Sequence, residues 1–439
     1  MVHFLFLEAF RPVMFSDRRS LEAHQLQRLN ALLFHVRPRN LFYEKKFAGL
    51  PYEIASLDQW RDFPMTTKGE LSSQADSTGL APHHTFPIRD YLRFHRTSGS
   101  TGRPLVILDR AEDWAWWIRT WQFVLDAAKI EAGTTVLMAF SFGPFIGFWS
   151  ANEACLARGC RVVPGGGMST AARLDLIQSA GCSVLFSTPS YTLHLAEEAN
   201  KRGMDASKLG VQKIFVAGEP GGSIASIRQR IENAFDATVF DHVGATEVGP
   251  WGMGTPDGKA IHVIEHEFIA EFLPCEWSDH QSSNPKEEKS RPTTAPMELV
   301  LTSLGREGVP ALRYRTGDIV RPRFDHHDAN GFVRLEGGVI GRTDQMLTIR
   351  AVNVFPTSIE AILHSIPEIA EFRLIASREG AMDQLTIEVE DELHQPARIT
   401  DLLDRSLGLR VEVVDVASGS LPRSTDKAKR FLDRRPSIL

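Results

Sequence analysis

Short β-rich runs alternate with helix-length segments along residues 134–243, and this alternation is the strongest constraint on the fold. The β-rich runs lie at 134–140, 160–164, 183–187, 213–218 and 237–243. The segments between them, at 145–158, 170–180, 189–202 and 222–235, have helical length and apolar spacing. Strands that alternate with such helices form right-handed βαβ crossovers, so the sequence predicts an α/β fold with a mostly parallel sheet flanked by helices.

The loops at one edge of such a sheet are where a ligand is expected. In a parallel α/β sheet, ligands bind beyond the carboxyl ends of the strands. The segments that follow the predicted strands are 141–147, 188–191, 218–222 and 244–249. Each contains glycine or hydroxyl residues, so we expect a binding site at this edge.

The length of 439 residues predicts at least two domains. We expect a large N-terminal domain at 1–341 and a small, mobile α+β domain at 342–439. The N-terminal part begins with a predicted helix at 16–36 and a loop at 62–71 that leads into a helix capped by Thr66 or Thr67. The segment 277–297 is polar and predicts a flexible excursion. The C-terminal part predicts β-strands at 346–349, 371–377, 385–389 and 410–416, helices at 356–366 and 397–407, and a basic tail at 421–435.

Charge and composition exclude several classes of protein. The net charge is -6 and no basic block stands out, so nucleic-acid binding is not expected. No apolar run approaches the roughly 18 residues of a membrane-spanning helix, and the apolar start of the chain lacks the basic flank of a signal peptide. The four cysteines follow no zinc-finger or CxxC spacing, which favours a reducing compartment. We therefore expect a cytoplasmic protein.

A loop rich in serine, threonine and glycine precedes the apolar run at 104–108. Glycines allow such a loop to turn its backbone N–H groups inward, and these form a nest for phosphate oxygens, with Arg96 and Arg103 at the edges. No lysine follows Gly102, so the loop is not of the Walker type. An ordinary surface turn is the alternative for this loop taken alone. Its residues are Thr97, Ser98, Gly99, Ser100, Thr101 and Gly102.

Four further motifs follow in order along the chain. They are Val243-Gly-Ala-Thr-Glu247, Tyr314-Arg-Thr-Gly-Asp318, Gly341-Arg-Thr-Asp344 with the 346–360 segment after it, and Leu421-Pro-Arg-Ser-Thr-Asp-Lys427. Together with the Ser/Thr/Gly loop, this set resembles the adenylate-forming superfamily of acyl-CoA synthetases, peptide-synthetase adenylation domains and luciferases. The short chain and the Asn353-Val-Phe-Pro356 phrase look most like the phenylacetate–CoA ligase branch.

The resemblance implies an enzyme with two half-reactions. A carboxylate attacks the α-phosphate of ATP to give an acyl-adenylate and pyrophosphate, and a thiol such as that of CoA then displaces AMP. The Ser/Thr/Gly loop would hold the polyphosphate, Glu247 beside Thr246 would bind Mg²⁺, and Asp318 would bind the ribose. Arg342 would contact phosphate or ribose as a planar fork, and Lys427 would bridge the acid and the α-phosphate. The segment that lines adenine would comprise Gly218, Glu219 and Pro220, with Val243 and Gly244 opposite.

The same resemblance implies that the C-terminal domain rotates about a hinge at Asp344 between the half-reactions. Three positions depart from the family pattern. Val243 stands where an aromatic residue is usual, Ala351 where glycine is usual beside the pantetheine path, and Asp426 where glycine precedes the lysine. Some relatives carry a zinc site, but His262, His266 and Cys275 offer few thiolate ligands, so we do not expect zinc.

The acid pocket is expected between the strand ends. The segment 141–147 is apolar and aromatic and suits a flat ring, with core packing as the alternative for Phe142 and Phe145. The predicted lining residues are Phe142, Gly143, Phe145, Ala217, Gly244, Val248 and Pro250.

We therefore expect a ligase that uses ATP, Mg²⁺ and CoA to activate an aryl carboxylic acid. Transfer to the phosphopantetheine of a carrier protein, or to an amine, is the alternative within the enzyme class. A non-catalytic nucleotide-binding regulator is the alternative outside it. The sequence leaves the oligomeric state open, and a homodimer is compatible with it.

Overall fold

The structure is a computed structural model. It describes residues 15, 17–97, 104–140, 143–275, 295–324, 331–345, 347–349, 352–379, 382–407, 411–423 and 430–435. The predicted excursion at 277–297 therefore lies almost wholly outside the described residues. None of the described helices combines the length and the apolar content that crossing a bilayer requires.

The first part of the chain is helical, as the sequence predicts. Its helices are α1 (Arg18–Val36), α2 (Leu41–Lys46), α3 (Leu57–Trp60) and α4 (Lys68–Ser73). The side chain of Asp17 caps α1 by accepting a hydrogen bond from Ser20 N at 2.8 Å. Thr67 caps α4 by accepting from Glu70 N at 3.1 Å, which confirms one of the two predicted caps.

A hairpin and a long helix come next. Strands β1 (Arg93–Arg96) and β2 (Val106–Asp109) pair antiparallel on either side of the Ser/Thr/Gly loop. Helix α5 (Ala111–Ala127) carries a row of buried tryptophans. Trp114, Trp117 and Trp121 pack in the larger hydrophobic core, so this aromatic face stabilises the fold.

The predicted alternation of strands and helices is confirmed. Its elements are β3 (Thr135–Met138), α6 (Ile146–Ala157), β4 (Arg161–Pro164), α7 (Thr170–Ala180), β5 (Val184–Ser187), α8 (Pro189–Lys201), β6 (Lys213–Ala217), α9 (Ala225–Phe235) and β7 (Thr238–Ala245). The strands pair parallel in the order β7-β6-β5-β3-β4. A core cluster that includes Leu174, Leu195 and Ile227 fills the space between these strands and helices α7, α8 and α9.

Six later strands extend this sheet in an antiparallel manner. They are β8 (Gly249–Gly254), β9 (Ala260–Val263), β10 (Phe268–Pro274), β11 (Met297–Ser303), β12 (Tyr314–Arg323) and β13 (Arg334–Arg342). The described sheet has 11 strands, and its order is β10-β11-β12-β13-β9-β8-β7-β6-β5-β3-β4. The parallel arrangement thus holds for the predicted alternation, while the complete sheet is mixed. The α/β class with helices packed on the sheet is confirmed.

The C-terminal part forms the expected α+β unit. Its elements are β14 (Leu347–Ile349), β15 (Val352–Val354), α10 (Pro356–His364), β16 (Ile369–Glu379), β17 (Met382–Asp391), α11 (Pro396–Leu407), β18 (Glu412–Asp415) and β19 (Phe431–Asp433). The sheet order is β18-β17-β16-β19, and the unit has its own core cluster. The segment predicted as a basic tail is corrected here, because Phe431–Asp433 pairs parallel with β16.

Candidate active site

The turn after β6 is tied to the start of α8. Gly218 has φ of 93°, a conformation that glycine adopts without strain. The carboxylate of Glu219 accepts a hydrogen bond from Ser190 N at 2.7 Å, in the first turn of α8. Gly218 and Pro220 are exposed, so the segment that the sequence assigns to adenine forms an open edge at a strand end.

Asp241 holds the next part of the same turn. Its buried carboxylate accepts a hydrogen bond from Ser223 Oγ at 2.7 Å, and burial raises the pKa of Asp241 to about 6. A Cβ atom at Gly222 would approach Asp241 Cγ to 2.5 Å, so only glycine fits there. Sequence analysis did not single out Asp241, although it lies on the strand that leads into the Glu247 motif.

The C-terminal end of β7 presents the Glu247 motif. Val243 is half-buried and Gly244 is exposed, while the preceding His242 ring lies 4.0 Å from the Trp121 ring. Burial lowers the pKa of His242 to about 4, and its Nδ1 contacts Gly252 O at 2.8 Å. His242 is therefore a neutral core residue at neutral pH.

Glu247 is buried and faces a lysine that sequence analysis missed. Lys68 Nζ lies 3.5 Å from Glu247 Oε1. Lys68 begins α4, and the residue before its cap is fixed to β12, because Thr66 N donates to Arg313 O at 2.8 Å and Thr66 O accepts from Arg315 N at 2.9 Å. The pattern at 62–71 predicts only where a helix starts. The positive charge of Lys68 at the first position of that helix was the sequence feature that could have marked this residue as a site candidate.

A fully buried ion pair joins the loop hairpin to the Glu247 motif. Arg306 Nε and Nη2 donate to Asp109 Oδ1 and Oδ2, each at 2.8 Å, and Arg306 Nη1 donates to Thr246 O at 2.7 Å. Asp109 ends β2, the strand that follows the Ser/Thr/Gly loop. Burial raises the pKa of Asp109 to about 6, although Arg306 opposes this effect. Neither residue of the pair was predicted.

The neck of the Ser/Thr/Gly loop is closed by Thr97. Its N–H donates to Leu105 O at 3.0 Å, and its Oγ1 accepts from Leu105 N at 3.0 Å. Arg96 N donates to Pro144 O at 2.8 Å, which places the hairpin beside the segment proposed for the acid. Ser98 to Gly102, together with Phe142 and Lys427, lie outside the described residues.

Asp318, Arg342 and Asp344 form a charged group where β12 and β13 pair. Asp318 lies opposite Arg342 in the register. Arg342 Nη1 donates to Asp318 Oδ1 at 2.6 Å, and Arg342 Nε donates to Asp344 Oδ1 at 3.0 Å. Asp318 is buried, and burial raises the pKa of its carboxyl against the opposing effect of Arg342. The structure thus brings together three of the residues that sequence analysis selected.

Tyr314 connects this group with Glu247. Its hydroxyl is buried, and burial, assisted by the charge of Glu247, raises its pKa well above the usual value. The charges of Arg342 and Asp318 also act on it. Tyr314 pairs with Thr66, two residues before the lysine that contacts Glu247, and it begins the strand that carries Asp318, so the four side chains belong to adjoining segments. The phenol stays protonated and can donate a hydrogen bond there.

The residues proposed for the acid pocket lie around the same edge. Ala217 ends β6, and Gly244 is the penultimate residue of the adjacent strand β7. The two strands pair parallel, with Ala217 opposite His242. The Phe145 side chain is 41% exposed before α6, and Gly143 O accepts from Trp149 Nε1 at 2.9 Å. Val248 and Pro250 are buried, and Val248 belongs to the larger core.

The chain matches two protein-family models. The model of the AMP-binding enzyme family covers residues 26–265, and that of the AMP-binding enzyme C-terminal domain covers residues 351–435. The phenylacetate–coenzyme A ligase of Pseudomonas putida is 30% identical over 436 residues, which span 95% of this chain and 94% of that protein. The chain therefore belongs to the adenylate-forming AMP-binding enzymes, in their phenylacetate–CoA ligase branch. It is an AMP-forming acid–thiol ligase.

Solved structures of a related enzyme match in several states. 2-Hydroxyisobutyryl-CoA ligase in the postadenylation state, in complex with R3-HIB-AMP, superposes with a TM-score of 0.84 at 25% identity, over 96% of this chain and 91% of that one. The same enzyme with 2-HIB-AMP and CoA in the thioesterification state gives 0.68 at 25% identity, over 98% and 94%. The present arrangement of the chain is thus more similar to the former state.

Proposed function

We propose that this enzyme activates an aryl carboxylic acid with ATP and transfers the acyl group to CoA. In the first half-reaction a carboxylate oxygen bonds to the α-phosphorus of ATP, and the bond to the β-phosphate oxygen breaks to release pyrophosphate. In the second the CoA sulfur bonds to the acyl carbon, its proton leaves to solvent, and AMP departs. The observation that carries the proposal is the common neighbourhood of Glu247, Tyr314, Asp318 and Arg342 at the carboxyl edge of the sheet.

The nucleotide fits along this edge. The exposed segment at Gly218 to Pro220 would face adenine, and Asp318 would accept hydrogen bonds from the ribose hydroxyls. Arg342 holds Asp318 through Nη1 and Asp344 through Nε and Nη2, so binding of phosphate by Nε and Nη2 would require release of Asp344. The Ser/Thr/Gly loop, with its neck closed at Thr97, would hold the polyphosphate.

The chemistry of the donor set fits Mg²⁺. Mg²⁺ is commonly held by one or two carboxylates together with substrate phosphates and water. Glu247 supplies a single buried carboxylate, and Lys68 at 3.5 Å offsets its charge before the metal binds. Bound there, the ion would neutralise phosphate charge as pyrophosphate forms. The described residues contain no cluster of three or more His, Cys, Asp or Glu side chains suited to a metal.

Domain alternation would separate the two half-reactions. We infer a boundary near residue 341, with Asp344 as the hinge, because the third core cluster begins at Leu347. The higher TM-score against the postadenylation state supports a C-terminal domain docked for the first half-reaction. Lys427 would then serve that step, and the rotation would remove it before CoA binds.

An aryl acid is favoured by the branch to which the chain belongs and by the exposed Phe145 at the mouth of the proposed pocket. Gly143, Ala217 and Gly244 would leave room for a flat ring, with Val248 and Pro250 behind them. The related enzyme of known structure is a ligase of a small hydroxy acid, so 2-hydroxyisobutyrate is the competing acid to test. CoA is the proposed acceptor, and a carrier-protein thiol or an amine is the alternative that Ala351 and Asp426 favour.

The direct test is pyrophosphate release from ATP across a panel of acids. Phenylacetate, benzoate and anthranilate should be activated faster than 2-hydroxyisobutyrate or dodecanoate, because an apolar pocket rejects poor fits through lost burial and clashes. Formation of the CoA thioester should follow with the same acids. Faster release with dodecanoate or 2-hydroxyisobutyrate than with every aryl acid would overturn the substrate class.

Lys427→Ala tests the position assigned to the lysine of the first half-reaction. Removing one preorganised charge partner of a transition state typically costs about 10²–10³ in rate. We expect pyrophosphate release to fall by that factor in Lys427→Ala and to persist in the control Lys429→Ala. The opposite pattern would show that the motif has been aligned in the wrong register.

A further inference from the structure

Arg430 joins the C-terminal unit to helix α8 of the N-terminal part. Its Nε donates to Glu371 Oε1 at 2.6 Å and its Nη2 donates to Glu371 Oε2 at 3.2 Å, which is a bidentate pair within the C-terminal sheet. Its third nitrogen, Nη1, donates to Ser190 Oγ at 2.8 Å on α8. The guanidinium also lies 4.9 Å from the centre of the Phe372 ring. One side chain thus joins α8 to the C-terminal unit.

The contact continues to the segment assigned to adenine. Ser190 accepts from Arg430 through its hydroxyl, and its backbone N–H donates to Glu219 Oε1 at 2.7 Å. Glu219 lies between Gly218 and Pro220 at the end of β6. A chain of direct hydrogen bonds therefore runs from Glu371 through Arg430 and Ser190 to Glu219.

Other contacts also join the C-terminal unit to α8 and α9, among them Arg423 Nε, which lies 3.9 Å from Glu197 Oε2 on α8. Ser226 Oγ donates to Ala361 O at 3.0 Å, and Arg230 Nη1 donates to His364 Nδ1 at 3.1 Å. Burial, with Arg430 and Arg230 nearby, holds the pKa of His364 well below its usual range, so this ring is a neutral acceptor. Arg430 is a charged link that reaches the nucleotide edge.

We propose that Arg430 is a positioning residue that couples docking of the C-terminal domain to the nucleotide segment during adenylate formation. The inference rests on the proposed function. Any rotation of the C-terminal unit separates Arg430 from Ser190, whereas Glu371 moves with Arg430. The reason is that helix α8 packs in the core beside the large sheet, while Phe431, next to Arg430, packs against the C-terminal core. Lys427 precedes Arg430 by three positions in sequence, so a fixed Arg430 limits where that lysine can lie. The contact serves the first half-reaction and is broken in the second.

The test separates the half-reactions in Arg430→Gln, Arg430→Lys and Ser190→Ala. Adenylate formation is followed by pyrophosphate release with phenylacetate, and thioester formation is started from synthetic phenylacetyl-adenylate and CoA. Arg430→Gln should slow the first step by about 10²-fold, the scale of a displaced catalytic group, and should leave the second nearly unchanged. Arg430→Lys keeps the charge without the fork and should fall between Arg430→Gln and the wild type.

Ser190→Ala tests the same contact from its other side, and Arg373→Gln is the control for folding. Ser190→Ala keeps the pair of Arg430 with Glu371 and removes one hydrogen bond, so it should slow the first step by roughly tenfold. Arg373 pairs with Glu388 across the same sheet, with a shortest described separation of 2.5 Å, and Arg373→Gln should change neither step. Equal losses in both steps, or no loss in either, would overturn the proposal.

Hydrogen–deuterium exchange provides a readout that does not depend on the acid. In Arg430→Gln the first turn of α8 and helix α10 should exchange faster than in the wild type, while α7 and α11 should not change. If the wild type releases no pyrophosphate with any acid, the proposed function fails, and exchange still decides the role of Arg430. Unchanged exchange in α8 and α10 would overturn that role.

Discussion

Arg306 and Asp109 lie 197 positions apart in sequence and form a bidentate ion pair with both side chains fully buried. The third donor of Arg306 holds Thr246 O, so the pair fixes the Ser/Thr/Gly hairpin and the Glu247 motif relative to each other. The pair therefore rigidly joins the two segments that we propose to act on the triphosphate of ATP. Because both side chains of the pair are fully buried, removal of the pair should first reduce the stability of the protein.

Arg306→Met should destabilise the protein strongly. Removing one partner of a buried pair leaves an uncompensated charge and typically costs about 3–5 kcal/mol of the free energy of unfolding. Asp109→Leu should have a similar effect, and urea unfolding monitored by tryptophan fluorescence measures both. The double variant should cost less than the sum of the two single variants, because no charge is then left unpaired. Additive losses would mean that the pair is not energetically coupled.

Asp318→Asn should impair ATP binding selectively. The substitution removes a charged acceptor from the proposed ribose site, and hydrogen bonds to charged groups contribute about 1.5–3 kcal/mol. We therefore expect KM for ATP to rise by roughly 10- to 150-fold, with a smaller change in KM for the acid. Asp344→Asn is the matched control, since Asp344 also binds Arg342 but is exposed, and it should leave KM for ATP nearly unchanged. A larger effect of Asp318→Asn on the acid would contradict the assignment.

The sequence predicted the elements whose residues carry a local pattern. The alternation at 134–243 and the cap at Thr67 follow from local spacing, and Asp318, Arg342 and Asp344 were found through motifs. The glycine-rich strand β8 (Gly249–Gly254) was missed, because glycine lowers the strand propensity and the strand is specified by packing against its neighbours. The links from Asp109 to Arg306 and from Arg430 to Ser190 join distant segments, and no spacing within a single sequence marks them.

Glu360 should make stability depend on pH. Burial, together with the charges of Glu219 and Glu371 and against that of Arg430, raises the pKa of Glu360 from 4.5 to about 7. The folded-state pKa lies above the unfolded-state value. The contribution of Glu360 to the free energy of unfolding is therefore fully present below about pH 4.5 and is lost as the pH rises through 7. The shift corresponds to at most roughly 3 kcal/mol, and to less here because the side chain is partly exposed.

Glu360→Gln isolates this effect in thermal unfolding between about pH 5 and 8. The difference in Tm between the variant and the wild type should grow in favour of the variant as the pH rises. The variant must be compared with the wild type because other groups also make stability depend on pH. The raised pKa values of Asp109 and Asp241 reduce stability as the pH rises, while the lowered pKa values of His84 and His242 increase it. A difference that stays constant across this range would show that Glu360 does not titrate there.

Ala351→Gly should accelerate transfer to CoA. The family resemblance implies that a glycine-containing segment flanks the pantetheine arm after the domain rotates. The corresponding sequence here is Arg350-Ala-Val-Asn353, and Arg350 and Ala351 lie outside the described residues. An added methyl group in a tight channel typically costs about 1–3 kcal/mol unless the backbone yields, which is roughly 5- to 150-fold in rate. We therefore expect the wild type to form adenylate faster than CoA thioester in single-turnover measurements, and Ala351→Gly to raise the second rate alone. Asp426→Gly, the departure beside Lys427, should instead alter the first rate. A wild type that makes thioester as fast as adenylate would show that Ala351 does not narrow the path and that free CoA is a sufficient acceptor.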